Sequence, residues 1–240
     1  MQNLPMIETK LTKRGWLSGV WRAVPIVLGY LPVGFAYGVL AQKAGISPLN
    51  TVLMSVLVYA GAAQLIAVGL VAAKAPALSI IMTTFVVNLR HLLMASAVAP
   101  FLKRWRKVEL AAFAYELTDE TFAVHATHFP SGIPSKVEVF ATNVTAQTAW
   151  VVGTVVGIVA GQGITDVKPF ALDYALPAMF VALLALQIKN RIQLVVALLT
   201  GIFALVLFQT GLKQWNIIVA TVVGATVGVV IEQWIKPSSS

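Results

Sequence analysis

Four ionisable side chains stand within long apolar stretches of this sequence: Arg90, Glu116, Asp119 and Glu120. Charge within hydrocarbon is expensive, and residues that bear that cost usually serve a transport pathway or pair with one another. The Arg90 guanidinium stays protonated and therefore needs a carboxylate, carbonyls, water or an anionic substrate. It either holds a substrate carboxylate or an exchangeable acid, or it forms a permanent ion pair that locks two helices together.

Arg90 and the acidic group belong to two neighbouring apolar runs, 76–100 and 108–129, separated by the basic loop 101–107. Arg90 and Glu120 each lie 11 residues from that loop, counted back from Phe101 and forward from Glu109. At 1.5 Å rise per residue, both sit roughly 16 Å deep. The sequence therefore predicts that two antiparallel helices bring Arg90 and Glu120 together.

The acids themselves are candidates for proton coupling. Glu116 and Glu120 are four residues apart and share a face of a continuous helix, with Asp119 at its rim. Burial and like-charge repulsion both favour the protonated form of a carboxyl group. Asp119 or Glu120 is the predicted coupling residue and Glu116 the reserve; the alternative is that all three are ionised in an aqueous vestibule.

Several neutral polar residues interrupt the apolar runs. They are candidates for substrate binding or for hydrogen bonds between helices, and the sequence leaves both possibilities open. They are Tyr59, Gly61 and Gln64 in the second run, Asn88 in the third, and Asn143 and Gln147 in the fifth. His91 beside Arg90 is a packing or proton-relay candidate, whereas His125 and His128, with no further ligand at suitable spacing, are predicted to be interfacial and not metal-binding.

The composition defines the protein class. With 58% hydrophobic and 11% charged residues and a mean hydropathy of +0.85, the 240-residue chain is predicted to be an all-α polytopic membrane protein. We predict a cytoplasmic segment at 1–20, one transmembrane domain at 21–235 and a short tail at 236–240. The candidate spans are 21–42, 50–73, 76–100, 108–129, 137–162, 170–188, 191–210 and 214–235.

Basic residues set the expected topology. The net charge of +8 gathers before the first span and in loop 101–107, which indicates contact with anionic lipid rather than with nucleic acid. Eight crossings would place the two clusters on opposite sides of the membrane. We therefore predict about seven crossings with the N-terminus inside and one of the first three segments re-entrant, the first being the preferred one because Pro25, Pro32 and Gly34 interrupt it.

A weak internal repeat supports a broken first segment. Residues 31–42 and 176–187 share Leu-Pro, a phenylalanine and a final glutamine, and the alternative is chance similarity between apolar stretches. In a repeat, Pro32 and Pro177 would mark matched helix breaks that line a substrate site, with Gly34 beside the first. Glycines also recur every four residues at 34–38, 153–161 and 224–228, and we expect these faces to pack within the chain.

Four motifs resemble the AzlC family of branched-chain amino-acid exporters. They are LPVGFAYG at 31–38, YAGAAQ at 59–64, NLRHLLM at 88–94 and TDETFA at 118–123. The resemblance implies a seven-span protein of the bacterial cytoplasmic (inner) membrane that works with a small AzlD-type subunit. It also implies export of valine, leucine and isoleucine, driven by protons, without a cofactor. Family-typical residues fall at Tyr59, Gly61, Gln64, Asn88, Arg90, His91, Asp119 and Glu120.

Other functions stay open at this point. An importer or channel for another small zwitterion or organic anion fits the same residues, as does a scaffold subunit for a transporting partner. An enzyme is not expected, since the sequence has no HExxH or GxSxG motif, no nucleophile beside a base and no cysteine.

Overall fold

The computed structural model describes residues 4–132, 135–164, 190–210 and 216–235, with single positions at 174, 178, 181, 184, 185 and 188. All regular structure within these residues is helical, which confirms the predicted all-α class. The chain divides into two compact units, Met1–Val181 and Ala182–Ser240.

Among its described residues, the first unit combines three long helices with four short ones. In chain order they are α1 (Leu4–Lys43), α2 (Pro48–Leu53), α3 (Gly61–Ala72), α4 (Ala77–Val98), α5 (Lys107–Tyr115), α6 (Asp119–His128) and α7 (Lys136–Gly161). A π-helical turn, Met54–Val58, extends α2, and 3-10 turns follow α4 and α6 at Ala99–Leu102 and Phe129–Ser131. The long helices α1, α4 and α7 are long and apolar enough to cross a bilayer.

Helices α1 and α7 run parallel and pack with their backbones in direct contact. Gly34 lies against the Trp150 carbonyl and Gly153 against the Leu31 carbonyl, where an added Cβ would come within 2.8 and 2.7 Å of those oxygens. Gly38 and Gly157 approach the opposite backbone in the same way. The expected internal packing of the glycine faces is confirmed, and the α1–α7 pair forms the framework of the unit.

The first segment is not the broken one, contrary to the prediction. Helix α1 is continuous through Pro25 and Pro32, and both prolines are exposed on its surface. Close packing on α7 holds the helix together across the missing backbone hydrogen bonds. Pro177, the proposed partner of Pro32 in a repeat, lies outside the described residues.

The segment 108–129 enters and leaves at one end of the unit. We name this the basal end, where α7 begins at Lys136. Lys136 Nζ contacts Glu109 Oε2 at 2.7 Å at the start of α5, while the Phe129 ring lies 5.9 Å from that of Phe101 after α6. With lengths of 9 and 10 residues, α5 and α6 are each far shorter than a span. They form a re-entrant hairpin, the basal hairpin.

The segment 50–73 is a second re-entrant hairpin, from the opposite end. Helix α2 begins beside the end of α1, where Gln42 Nε2 donates to Thr51 Oγ1 at 3.3 Å. Helix α3 returns to that same distal end, because the turn after Ala72 leads directly into α4, whose other end is basal. We name α2–α3 the distal hairpin. Its tip, at Tyr59–Ala60, lies at mid-depth.

The two hairpins revise the predicted topology. The segments 21–42, 76–100 and 137–162 cross in the first unit, whereas 50–73 and 108–129 do not. The prediction of one re-entrant segment implied four crossings among the first five segments. The structure has three, because two of these segments are re-entrant. The basic loop 101–107 lies at the same end as the start of α1, as the charge distribution requires. Helix α1 with the distal hairpin and α4 with the basal hairpin are inverted relative to one another.

The second unit contains two described helices, α8 (Arg191–Gln209) and α9 (Asn216–Ile235). They pack through small residues: Gly224 lies against Thr200, and Gly228 lies against Val196, where an added Cβ would sit 3.4 Å from a Val196 methyl carbon. The glycine pair predicted from spacing therefore also packs within the chain.

The helix contact can be tested with two glycines of α1. We expect Gly38→Ala to destabilise the protein by about 1–3 kcal/mol, because its Cβ would lie 2.9 Å from the Ile158 amide nitrogen in a contact that cannot open locally. Gly29→Ala is the matched control, since no atom of another helix lies within 4 Å of its Cβ. Thermal unfolding in detergent measures both, and equal stability of the two variants would contradict the packing.

The hairpins predict which positions are exposed on the same side of the membrane. Single cysteines can be introduced into this cysteine-free chain at Gly45 and Lys74, before and after the distal hairpin. Cysteines at Lys103 and Ser131 flank the basal hairpin. We expect an impermeant maleimide to label both members of each pair from one side, the two pairs from opposite sides. A pair whose members label from different sides would show that the hairpin between them crosses.

Candidate functional site

The hairpin tips meet in the middle of the first unit. The π-helical turn of the distal hairpin frees the Val56 carbonyl, which accepts a short hydrogen bond from the Tyr115 hydroxyl of the basal hairpin. Gln147 Nε2, from α7, donates to the same carbonyl at 3.3 Å and to the Tyr115 hydroxyl at 3.0 Å. These contacts satisfy backbone that a bilayer would otherwise leave unpaired.

Tyr59 makes the sharp break of the distal hairpin. Its φ of 44° and ψ of 46° place it in the left-handed region, which is unusual for a residue with a side chain and costs of order 1 kcal/mol. Such strain persists where surrounding structure imposes it, and it concentrates at functional sites. The buried Tyr59 ring packs edge-on against Tyr30 at 6.4 Å.

The basal hairpin breaks at Glu116–Thr118, which overturns the predicted continuous helix. Thr118 caps α6: its Oγ1 accepts from Thr121 N at 3.3 Å, and Thr121 Oγ1 accepts from Thr118 N at 2.8 Å. Glu116 caps the C-terminus of α5 while Glu120 lies in the first turn of α6, and the two acids do not share a helix face. The threonine capping box at 118–121 competes successfully with a continuous helix.

A small cavity lies between the hairpin tips, α1, α4 and α7. Its volume is about 10 Å³, which is room for about one water molecule. The residues that line it are Tyr30, Ala60, Gly61, Ala62, Arg90, His91, Thr118, Asp119, Glu120 and Trp150. The N-termini of α3 and α6 both open onto this cavity. Any substrate larger than water therefore requires the tips to separate.

Arg90 pairs with Asp119 and not with Glu120. Arg90 Nη2 lies 2.9 Å from Asp119 Oδ2, with the two side chains 24% and 14% exposed. Glu120 Oε2 instead accepts a 2.6 Å hydrogen bond from the Tyr30 hydroxyl, which also lies 2.7 Å from Thr118 Oγ1. The prediction that Arg90 meets the acidic residues is confirmed. Its partner is Asp119 and not the expected Glu120, because α6 starts at Asp119.

Seven of the nine predicted substrate-binding residues do not line the cavity, and five of the seven occupy other places in the unit. Pro32 is exposed on α1, and Gly34 is covered by α7. Gln147 bridges the tips, and Gln64 Nε2 donates to Ser55 Oγ at 3.3 Å. The fifth, Asn143, is buried against His125.

The remaining predicted residues lie at or near the cavity. Gly61 and Arg90 line it together with Asp119, Glu120 and His91. Tyr59 precedes the lining residue Ala60, while Glu116 is buried two residues before the lining residue Thr118. Asn88 lies one helical turn from His91, whose Nδ1 is 3.1 Å from the Asn88 carbonyl oxygen.

The two histidines of α6 occupy different environments. His125 is 3% exposed, and its Nε2 lies 2.7 Å from Asn143 Oδ1, which shows that the interfacial prediction is wrong for this residue. Its ring stacks on Phe129 at 5.0 Å, and this packing draws it inward. His128 is exposed, as predicted. Within the part of the chain that the structure describes, no cluster of His, Cys, Asp or Glu could hold a metal ion.

Sequence reasoning missed five residues that line the cavity: Tyr30, Ala60, Ala62, Thr118 and Trp150. Tyr30 and Trp150 come from α1 and α7, outside the two apolar runs that carry Arg90 and the acids, and they resemble ordinary aromatic residues of an apolar span. Thr118 had a usable signal, because a threonine followed by two acids and a second threonine is typical of a helix start. The cavity thus draws on every element around the two tips.

The arrangement defines an α-helical membrane protein with a charged cavity between two inverted re-entrant hairpins. Residues 25–164 match the AzlC protein family. The chain belongs to the AzlC family. The match covers both hairpins and all three crossing helices of the first unit, apart from the start of α1.

Individual relatives agree with this assignment. The chain is 30% identical to "Inner membrane protein YgaZ" of Escherichia coli strain K12 over 220 residues, 89% of this chain and 87% of the relative. It is 34% identical over 210 residues to an uncharacterized membrane protein of Archaeoglobus fulgidus, covering 86% and 91% of the two chains. It is 24% identical over 185 residues to "Branched-chain amino acid transport protein AzlC" of Bacillus subtilis strain 168, covering 75% and 72%. No solved structure matches the chain.

The ion pair is expected to be strongly coupled. Arg90→Gln or Asp119→Asn alone should lower the free energy of unfolding by about 2–4 kcal/mol, because each leaves one charge uncompensated at mid-depth. The double variant should lose much less than the sum of the two. The control is Arg22→Gln with Glu138→Gln, a more exposed pair at 3.2 Å, for which we expect about 0–1 kcal/mol. Denaturant unfolding in micelles measures both cycles, and additive losses at Arg90 and Asp119 would show that the charges act independently.

Proposed function

We propose that this chain is the large subunit of a secondary transporter that exports branched-chain amino acids in exchange for protons. The observation that carries the proposal is the cavity, where a cation and two acids lie between the tips of opposed hairpins. Broken helices with charged tips at mid-depth are the arrangement that transporters use for charged substrates. The printed name of the Bacillus subtilis relative supplies the substrate class.

The cavity suits a zwitterion. It presents both signs of charge. Arg90 and the two helix N-termini contribute positive charge, and Asp119 and Glu120 contribute negative charge. Its neutral walls, Ala60, Ala62 and Trp150, are apolar and suit an aliphatic side chain. Valine, leucine and isoleucine combine these two requirements.

Proton coupling follows from competition for Arg90. With Asp119 ionised, the guanidinium is held by its resident carboxylate at 2.9 Å. A proton on Asp119 removes that partner and weakens the contact between α4 and the basal hairpin. Glu120, one residue further on, is held in the same way by Tyr30 at 2.6 Å. Protonation and substrate binding would then favour different arrangements of the tips, which is the requirement for exchange.

The hairpins suggest how access alternates. Opening the basal hairpin exposes the cavity to the end that carries the basic loop, and opening the distal hairpin exposes it to the other end. We assign the basal end to the cytoplasm of a bacterial inner membrane, with the N-terminus inside, on the distribution of basic residues. Export then means loading through the basal hairpin and release through the distal one.

We also propose a small AzlD-type subunit as partner. The ion pair is incompletely covered: Arg90 is 24% exposed at mid-depth, and the adjacent α4 residues Leu89 and Leu92 are open. A charged pair facing lipid is costly, and a second polypeptide would complete the cover. Reconstitution with and without that subunit tests this assignment through the rate of valine transport.

Coupling is tested in proteoliposomes loaded with labelled valine. Asp119→Asn or Glu120→Gln should abolish transport driven by a pH gradient, because neither amide can carry the proton, while valine–valine exchange without a gradient survives. Glu109→Gln is the control, an acid at the basal end that contacts Lys136 and does not line the cavity. If both cavity variants keep the full response to the pH gradient, the acids are not the coupling residues. If the unaltered protein moves valine in the direction opposite to export, it is an importer.

A further inference from the structure

The two helix N-termini at the cavity differ in a way that would orient the substrate. Helix α6 begins with Asp119 and Glu120, and the Thr118–Thr121 capping box engages the amides of Thr118 and Thr121. An anion placed there would meet two carboxyl groups. The N-terminus of α6 is therefore the acidic side of the cavity, although the helix dipole alone would favour an anion.

Helix α3 begins without a cap or an acid. Ala60 offers no side-chain hydrogen bond, and no acidic residue occurs in the first turn. The first helical bond runs from Gln64 N to the Ala60 carbonyl at 2.9 Å, which leaves the amides of Gly61, Ala62 and Ala63 without an intrahelical acceptor. Gly61 and Ala62 line the cavity. The positive end of α3 therefore has no compensating charge of its own.

A buried indole lines the same cavity. Trp150 is 1% exposed, and its Nε1 has no hydrogen-bond partner among the described residues. Buried donors are normally paired, and an unpaired one on a cavity-lining residue is a candidate donor to a ligand. The six-membered edge of the Trp150 ring lies directly on Gly61, where an added Cβ would be 2.9 Å from Cη2. Glycine at this position lets the indole ring lie against the start of α3.

Arg90 is the competing site for an anion, and one of its donors is already engaged. Its Nη2 is bound to Asp119 at 2.9 Å, whereas its Nε is buried without a partner. A substrate carboxylate that binds Nη2 would have to displace that acid. The start of α3 needs no such exchange.

We infer that the α-carboxylate of the substrate binds the uncapped N-terminus of α3 together with the Trp150 indole N–H, while its ammonium group faces the acids of α6. This orientation rests on the proposed function, since it assigns the two charged groups of an amino acid at that same cavity. In this orientation Trp150 is a specificity-determining residue for a carboxylate. Arg90 does not hold the substrate carboxylate and can therefore form or break its contact with Asp119 independently.

The test compares a ligand that has the carboxylate with one that lacks its charge. Binding of L-valine and L-valinamide is measured on the full chain in lipid nanodiscs. Replacing Trp150 with benzothienylalanine keeps the bicyclic ring and removes only the N–H donor; Trp150→Phe is the simpler second variant. We expect the Kd for valine to rise roughly tenfold and that for valinamide about threefold or less, since charge-assisted hydrogen bonds are about twice as strong as neutral ones.

Two controls distinguish this orientation from a packing role of Trp150 and from a carboxylate bound to Arg90. Trp105→Phe removes a buried tryptophan at the basal end, packed against Phe113 and Phe140, and should leave both dissociation constants unchanged. Equal weakening of both ligands at position 150 would mean that Trp150 only packs, and the inference would fall. Loss of the preference for valine in Arg90→Lys alone would place the carboxylate on Arg90 and also overturn it. No valine binding by the unaltered chain, either alone or together with the small subunit, would reject the proposed function itself, and this orientation with it.

Discussion

The interruption of two helices in the middle of the first unit is the constraint on which the rest depends. Backbone groups freed at mid-depth must be satisfied within the protein, because a bilayer offers them no partner. The structure meets this requirement with Tyr115 and Gln147 on the Val56 carbonyl, and with the threonine cap at the start of α6. The amides at the start of α3 have no side-chain cap, and they are the group that we propose for the substrate carboxylate.

Close packing of α1 on α7 makes these interruptions tolerable. Glycines in both helices let the backbones meet, so that two rigid helices hold the hairpins from opposite ends. The hairpins themselves are held by a few polar contacts that can be exchanged, such as Arg90 with Asp119 and Tyr30 with Glu120. A fixed framework with polar contacts at its centre suits the alternating access that we propose, in which substrate and proton compete for the same groups.

The same contrast explains the buried charge. A permanent lock would pair each charge completely, yet the pair at Arg90 leaves Nε unbound and the side chain partly exposed. Incomplete pairing is costly in a membrane, and it is retained where the charges have to move or bind. The ion pair therefore accords with exchange better than with a structural lock.

The sequence by itself determined the class of protein and the small-residue faces, because hydropathy and glycine spacing are local properties. It indicated that Arg90 meets the acids, and it pointed to Asp119 and Glu120, both of which line the cavity. Tertiary structure alone decided which segments break and which acid pairs with Arg90. Helix α1 continues through its two prolines because it packs on α7. The distal hairpin instead breaks at Tyr59, which is not a helix-breaking residue type and yet adopts a left-handed conformation. The aromatic contribution of Tyr30 and Trp150 also depends on helices distant in sequence, and no local pattern could reveal it.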